Sequence, residues 1–251
     1  MRVQLQHAYI LHRRVYRDTS LIVELLSRDF GRISAVARGA RRSRNNALLQ
    51  PFQPVLCSWF GRGELYTLGN IEPADVYQKI NGQHVLSGLY LNELLMRLLP
   101  KEEPIGKLYD YYAEAVSGLA QLAVNDVECR NSDFCEQQIL RRFEKGLLEQ
   151  LGYGVDFSLD SETNKQVCTT DQYIFVSGKG LIQTSVNSVI SGASLLALAN
   201  DQLDSEQSLR EAKRLLRTIL DQYLGSRPLQ SRELRYRYAR QKKSLSINIK
   251  R

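Results

Sequence analysis

Gly31-Arg-Ile-Ser-Ala-Val-Ala-Arg-Gly-Ala-Arg-Arg-Ser-Arg44 is where a strand-like run passes into a cluster of arginines. The first half, Gly31–Ala37, is short, partly β-branched and preceded by a turn at Arg28-Asp-Phe-Gly31. The second half places Arg38, Arg41, Arg42 and Arg44 within seven residues, with Gly39 and small side chains between them. A loop so charged cannot easily bury itself. Held between strands, it suits gripping phosphates.

Outward from this stretch, the first 75 residues read as five short strands: His7–Val15, Ser20–Leu26, Gly31–Ala37, Val55–Phe60 and Glu64–Ile71. Gly61-Arg-Gly63 marks a hairpin between the last two. One longer loop follows the third strand and holds the arginines. Five strands at this length suit a small closed barrel, and the OB-fold is the commonest such barrel that binds nucleic acid. An SH3-like barrel competes on pattern alone.

The rest reads as mostly helical. Val85–Leu99 is leucine-rich nearly all round and predicts a core helix. Ile105–Leu122 predicts a second. Phe134–Leu151 predicts a third, stopped by Gly152. Residues 153–190 change character, with Tyr173–Val176 and Leu181–Thr184 flanking a hairpin turn at Ser177-Gly-Lys-Gly180. Helices resume near Gly192–Ala199 and Ser208–Leu224. The fold class expected is α+β: an OB-fold DNA-binding domain over 1–80 and a helical domain over 81–251. A small β-hairpin insert without zinc is expected at about 153–190.

Charge is segregated along the chain. Residues 1–80 carry 12 Lys/Arg against 6 Asp/Glu, residues 81–207 carry 9 against 18, and residues 208–251 carry 13 against 3. A basic head and tail flanking an acidic middle point to a polyanion. In the Ser208–Leu224 segment, Leu209, Ala212, Leu216, Ile219, Leu220 and Tyr223 form an apolar stripe. Arg210, Lys213, Arg214 and Arg217 align on another face. The run Arg227-Pro-Leu-Gln-Ser-Arg-Glu-Leu-Arg-Tyr-Arg-Tyr238 follows, then Arg240, Lys242 and Lys243. Its Arg232, Arg235 and Arg237, interleaved with Tyr236 and Tyr238, suit phosphates and bases. Ser244–Arg251 reads as a loose tail. Phe30, Phe52, Trp59 and Tyr66 could stack on bases, or fill the barrel.

Catalytic patterns are missing. Around Lys179 the first glycine of a phosphate-binding loop is replaced by Tyr173, and Gly180 stands where Ser or Thr is needed. His7, His12 and His84 form no metal-binding pattern, and strict alternation would put His7 and His12 on opposite faces of a strand. Cys57, Cys129, Cys135 and Cys168 are scattered and read as reduced thiols. Asp156, Asp160 and Glu162 could hold Mg²⁺ in a nuclease, or form a polar connection. No run of about 18 apolar residues could span a membrane, and the N-terminus lacks a signal peptide's apolar stretch. A cytoplasmic protein that works by binding, without catalysis or cofactor, is the expectation.

Four segments together resemble a known family. They are Ala35-Val-Ala-Arg-Gly-Ala-Arg41 with Leu49-Gln-Pro-Phe52, then Gly88-Leu-Tyr-Leu-Asn-Glu-Leu-Leu95. The third is Arg141-Arg-Phe-Glu144 running into Leu151-Gly-Tyr-Gly-Val-Asp-Phe157, and the fourth is Tyr223-Leu-Gly-Ser-Arg-Pro-Leu-Gln-Ser-Arg-Glu-Leu234. In this order they resemble the bacterial DNA repair family RecO, over nearly the whole chain. The resemblance implies a nucleoid-associated recombination mediator that binds single- and double-stranded DNA and anneals complementary strands. It implies engagement of the C-terminal tail of the single-stranded DNA-binding protein, with RecR, and in one pathway RecF, helping RecA onto DNA. Arg141 and Arg142 match the Arg-Arg-Phe-Glu segment. One of them could hold the tail's terminal carboxylate, or both could be ordinary helix charges. Some family members bind zinc through four cysteines in the insert. Here that segment holds only Cys168, so no metal is expected. A general single-stranded nucleic-acid-binding protein without mediator activity is the alternative.

Overall fold

The computed structural model describes residues 1–75, 79–124, 132–185 and 190–248, with backbone alone at 123–124 and 242–248. Cys129 and the side chains of Lys242 and Lys243 lie outside the described residues. Contacts divide the chain into two compact units. One is Met1–Ala123 with Leu229–Arg251, and the other is Val124–Pro228.

The first unit opens with β1 (Arg2–Tyr16), β2 (Ser20–Ser27), β3 (Gly31–Ala37), β4 (Pro54–Phe60) and β5 (Tyr66–Pro73). They close into a barrel in the order β1-β2-β3-β5-β4, with β4 returning to β1. The β3–β5 seam is parallel and short, pairing Ala35 with Tyr66 and Val36 with Thr67. Closure leaves no open sheet edge, and this strand order is that of a five-stranded OB-type barrel. Ile10, Val23, Leu25, Ile33, Ala35, Val55, Cys57 and Trp59 fill the interior. Phe30 meets Trp59 edge to face at 5.4 Å. Phe52 and Tyr66 are buried too, so these aromatics serve packing.

The β1 strand departs from simple alternation at a bulge between Ile10 and His12. Ile10 faces Leu25 and Arg13 faces Val23, both core residues, so the extra residue, Leu11, shifts the parity. His7 and His12 therefore share the outer face, where both are exposed, and the opposite-face expectation is corrected.

Helix α1 (His84–Leu98) uses its Gly88–Leu95 segment to meet the barrel, α2 and the last helix. A Cβ at Gly88 would come within 2.8 Å of the Phe52 ring, so only glycine allows this approach. Buried Asn92 donates to the Leu11 carbonyl at 2.6 Å and accepts from the Tyr112 hydroxyl at 2.6 Å. Glu93 accepts from the backbone N–H groups of Gln230 and Ser231 and from the Ser231 hydroxyl. It thereby caps the start of helix α6 (Gln230–Asn248) and satisfies orphan donors there. Ser244 to Asn248, expected as loose tail, continue this helix. Helix α2 (Leu108–Val124) sets Tyr109 and Tyr112 against Tyr9, at 5.3 and 5.1 Å between ring centres. The Lys101–Glu103 segment laces the far end of β3. Lys101 bridges Arg32, and the Glu102 N–H donates to the Arg32 carbonyl. Gly31, at φ 66°, could not carry a Cβ without striking the Glu103 carbonyl.

The second unit contains α3 (Ser132–Gln150), α4 (Gly192–Ala199) and α5 (Glu206–Leu224). The hairpin β6 (Gln172–Val176) and β7 (Gly180–Thr184) is joined by the short β8 (Ile190–Ser191). Helix α3 ends as its sequence predicts: Gly152 takes φ 73°, and its N–H and that of Tyr153 return to Glu149 and Leu148. Lys145 reaches from α3 to the last carbonyls of α4, Leu198 and Ala199, and to Asp201. That places a cation at the negative end of the α4 dipole. Leu209, Ala212, Leu216, Ile219 and Leu220 of α5 are buried.

Candidate nucleic-acid interface

The loop after β3 is two stretches of 3₁₀ helix, Ala40–Arg42 and Arg44–Leu49. Gly39, at φ 67°, starts the first, and Ser43 caps the second by accepting the Asn45 N–H. Ala40 and Leu49 are buried in the barrel core. A leucine so buried is worth about 2 kcal/mol, which fixes both ends of the loop. Between these anchors Arg41, Arg42 and Arg44 are exposed, with Arg38 exposed just before them.

The loop is also tied to the β1–β2 turn. The Arg41 N–H donates to the Thr19 carbonyl at 3.0 Å, and its guanidinium donates to the Asp18 carbonyl at 2.7 Å. Arg13 donates to Asn46 at 2.8 Å. Arg13, Arg14, Val15, Leu21, Arg41 and Asn46 line an open cleft of about 220 Å³. Arg13 and Arg14 thus join the loop arginines, a grouping the sequence alone does not show. Seven arginines and one acid, Asp18, occupy residues 13–19 and 38–49. The signal available in the sequence was the Arg13-Arg14 pair at a strand end, which only the barrel's geometry brings beside the loop.

The other basic residues fall into two groups. On α5, Arg210, Lys213, Arg214 and Arg217 are all exposed on one face. Arg217 pairs with Asp221 at 3.5 Å, a surface contact of little energetic weight. On α6, half-buried Arg232 lies over the Tyr90 ring at 5.8 Å, so it helps seat the helix on α1. Arg235 is half-buried, while Arg237, Arg240, Tyr236 and Tyr238 are exposed. The loop and α6 belong to the first unit and the α5 stripe to the second.

Arg141 and Arg142 differ sharply. Arg141 is only 3% exposed and pairs with Glu144 at 2.6 Å, with its Nε and Nη1 buried without hydrogen bonds. Arg142 is exposed.

The acidic cluster serves the insert's architecture. Asp160 accepts from the Glu162 and Thr163 N–H groups, the Thr163 hydroxyl and the Gln183 N–H. The Thr163 N–H leads in holding its carboxyl below the usual range. Asp156 accepts from the Ser158 hydroxyl and N–H, which lower its pKa likewise. Among the described residues no three His, Cys, Asp or Glu side chains gather as a metal site. Burial pushes the Cys57 thiol up to about 12, which makes it a packing residue. No described helix is long and apolar enough to cross a membrane.

Two family models match successive parts of the chain. The family model "Recombination protein O N terminal" matches residues 1–77, and "Recombination protein O C terminal" matches residues 81–233. A DNA repair protein RecO of Methylococcus capsulatus is 41% identical over 236 residues, covering 93% of each chain. That of Nitrosococcus oceani is 40% identical over 240 residues, again covering 93% of each. That of Coxiella burnetii is 39% identical over 238 residues, covering 93% of this chain and 98% of its own.

Proposed function

Because the chain belongs to the recombination protein O (RecO) family of DNA repair proteins, we propose that it acts as a recombination mediator. In this reading it binds single- and double-stranded DNA and anneals complementary strands. It recognises the C-terminal tail of the single-stranded DNA-binding protein and, with RecR and in one pathway RecF, helps RecA onto coated DNA at the nucleoid. It breaks no bond. Residues 1–80 form its DNA-binding domain and residues 81–251 its helical domain.

The observation that carries the reading is the arginine loop. Its charges are exposed while its ends are buried in the barrel, so the phosphate-binding surface is prepared before DNA arrives. Annealing requires two phosphate backbones to approach, and guanidinium groups lower their repulsion by displacing condensed counterions. Arg38, Arg41, Arg42 and Arg44 hold one backbone, with Arg13 and Arg14 beside them. Arg210, Lys213, Arg214 and Arg217, together with Arg235 and Arg237, extend the track or hold a second strand. Arg232 supports α6 from below. For the partner tail, exposed Arg142 meets the terminal carboxylate as a bidentate donor, while Arg141 secures α3 through Glu144.

The test is annealing of complementary strands coated with single-stranded DNA-binding protein, with and without its tail. A mediator accelerates annealing on coated strands and loses this when the tail is deleted. Binding without annealing would favour the second reading, a general single-strand-coating protein. Loss of tail-peptide binding in Arg142→Ala, with Arg141→Ala affecting mainly stability, is the outcome expected at the tail site.

A further inference from the structure

We propose that Tyr153 and Tyr223 form a stacking platform for an unpaired nucleobase, a single-strand subsite in the second unit that rests on the DNA-binding reading above. Tyr153 follows the Gly152 stop of α3, and Tyr223 lies in the last turn of α5. Their rings are 3.8 Å apart between centres and within 7° of parallel. Yet they remain 37% and 40% exposed. The α5 apolar pattern assigns Tyr223 to the buried stripe. Leu220 and Leu224 beside it are buried, whereas the Tyr223 ring stays partly exposed against another aromatic ring. A pair of parallel rings, each more than a third exposed, offers the flat surface on which a base of any sequence can stack.

The surroundings favour a nucleic-acid strand over an apolar peptide. Tyr223 lies six residues beyond Arg217, about 9 Å along the helix axis. Between Arg217 and Tyr223 the exposed residues are Thr218, Gln222 and Asp221, the last paired with Arg217 at 3.5 Å, so that its charge is offset. The Ser177 hydroxyl donates to Gln222 at 3.2 Å, which brings the hairpin turn and exposed Lys179 to the same end of α5. A strand whose phosphates follow Arg214 and Arg217 can thus turn one base onto the tyrosines. A duplex, whose bases are already stacked, gains nothing there.

The test uses the full chain and three probes of equal length: a single-stranded oligothymidylate, the same strand with abasic sites throughout, and a duplex. Tyr153→Ala and Tyr223→Ala should each weaken oligothymidylate binding about tenfold and leave the other two probes unchanged. Tyr223→Trp keeps a flat ring in place. Its fluorescence should be quenched by oligothymidylate and not by the abasic strand. Unchanged oligothymidylate affinity in the alanine variants, equal losses on all three probes, or no quenching in the tryptophan variant would overturn the platform. Failure of the wild-type chain to bind any probe would instead overturn the DNA-binding reading, and the platform with it.

Discussion

Asn92 joins three parts of the first unit with one amide. Its Nδ2 group donates to Leu11, the bulged residue of β1, and its Oδ1 atom accepts from Tyr112 on α2. Both partners are buried, so truncation strands a carbonyl and a hydroxyl away from water. Each such orphan costs about 1–3 kcal/mol. Asn92→Ala should destabilise the protein by about 2–4 kcal/mol, read from the urea midpoint, while DNA affinity of the folded fraction stays unchanged. An asparagine in a leucine-rich helix was visible in the sequence as part of a family-like segment. Its task was not, because that depends on a bulge 81 residues away. Gly88 is similar: a glycine inside a helix is unexplained until Phe52 is seen against it.

At the scale of elements, the barrel strands were legible because apolar runs and turn residues coincide. The arginine loop was legible as a loop because four charges in seven residues cannot be buried. Helix α6 was not assigned, since its residues from Arg232 onward lack an apolar stripe. Its start is secured by Glu93, a residue 137 positions away. The insert illustrates the same limit. Asp156, Asp160 and Glu162 read equally as metal ligands or as a polar connection, and the geometry shows Asp160 tying its own loop to β7. Because those bonds hold the native carboxyl below its unfolded value near 4, they stabilise the insert fully above about pH 4. The contribution is lost as pH falls through the lowered native value. In Asp160→Asn this pH-dependent part should vanish, and the insert should be about 2 kcal/mol weaker at neutral pH. Hydrogen exchange at the Thr163 and Gln183 amides, followed from pH 7 downward, measures both effects. Equal protection in the two proteins at pH 7 would contradict it.

At the scale of the whole molecule, charge segregation becomes a question about strands. The loop arginines belong to one unit and the α5 stripe to the other, and annealing demands either one long track or two separate grips. These alternatives respond differently to substitution. If about six phosphates are contacted, log K should fall with log[salt] at a slope near −5. If those phosphates lie on one track, replacing Arg38, Arg41, Arg42 and Arg44 by alanine should flatten the slope for a single strand by about 3. Replacing Arg210, Lys213, Arg214 and Arg217 tests the second group. With one track, either set weakens binding of a single strand, and the two losses add. With two grips, the group left intact still binds one strand nearly normally, yet either replacement abolishes annealing. We expect the second pattern, because a single saturated track has no place for the complementary strand. Titrations of single-stranded DNA at several salt concentrations, run beside annealing rates for the same variants, decide between them. Annealing that survives a replacement intact would remove the replaced group from the mechanism.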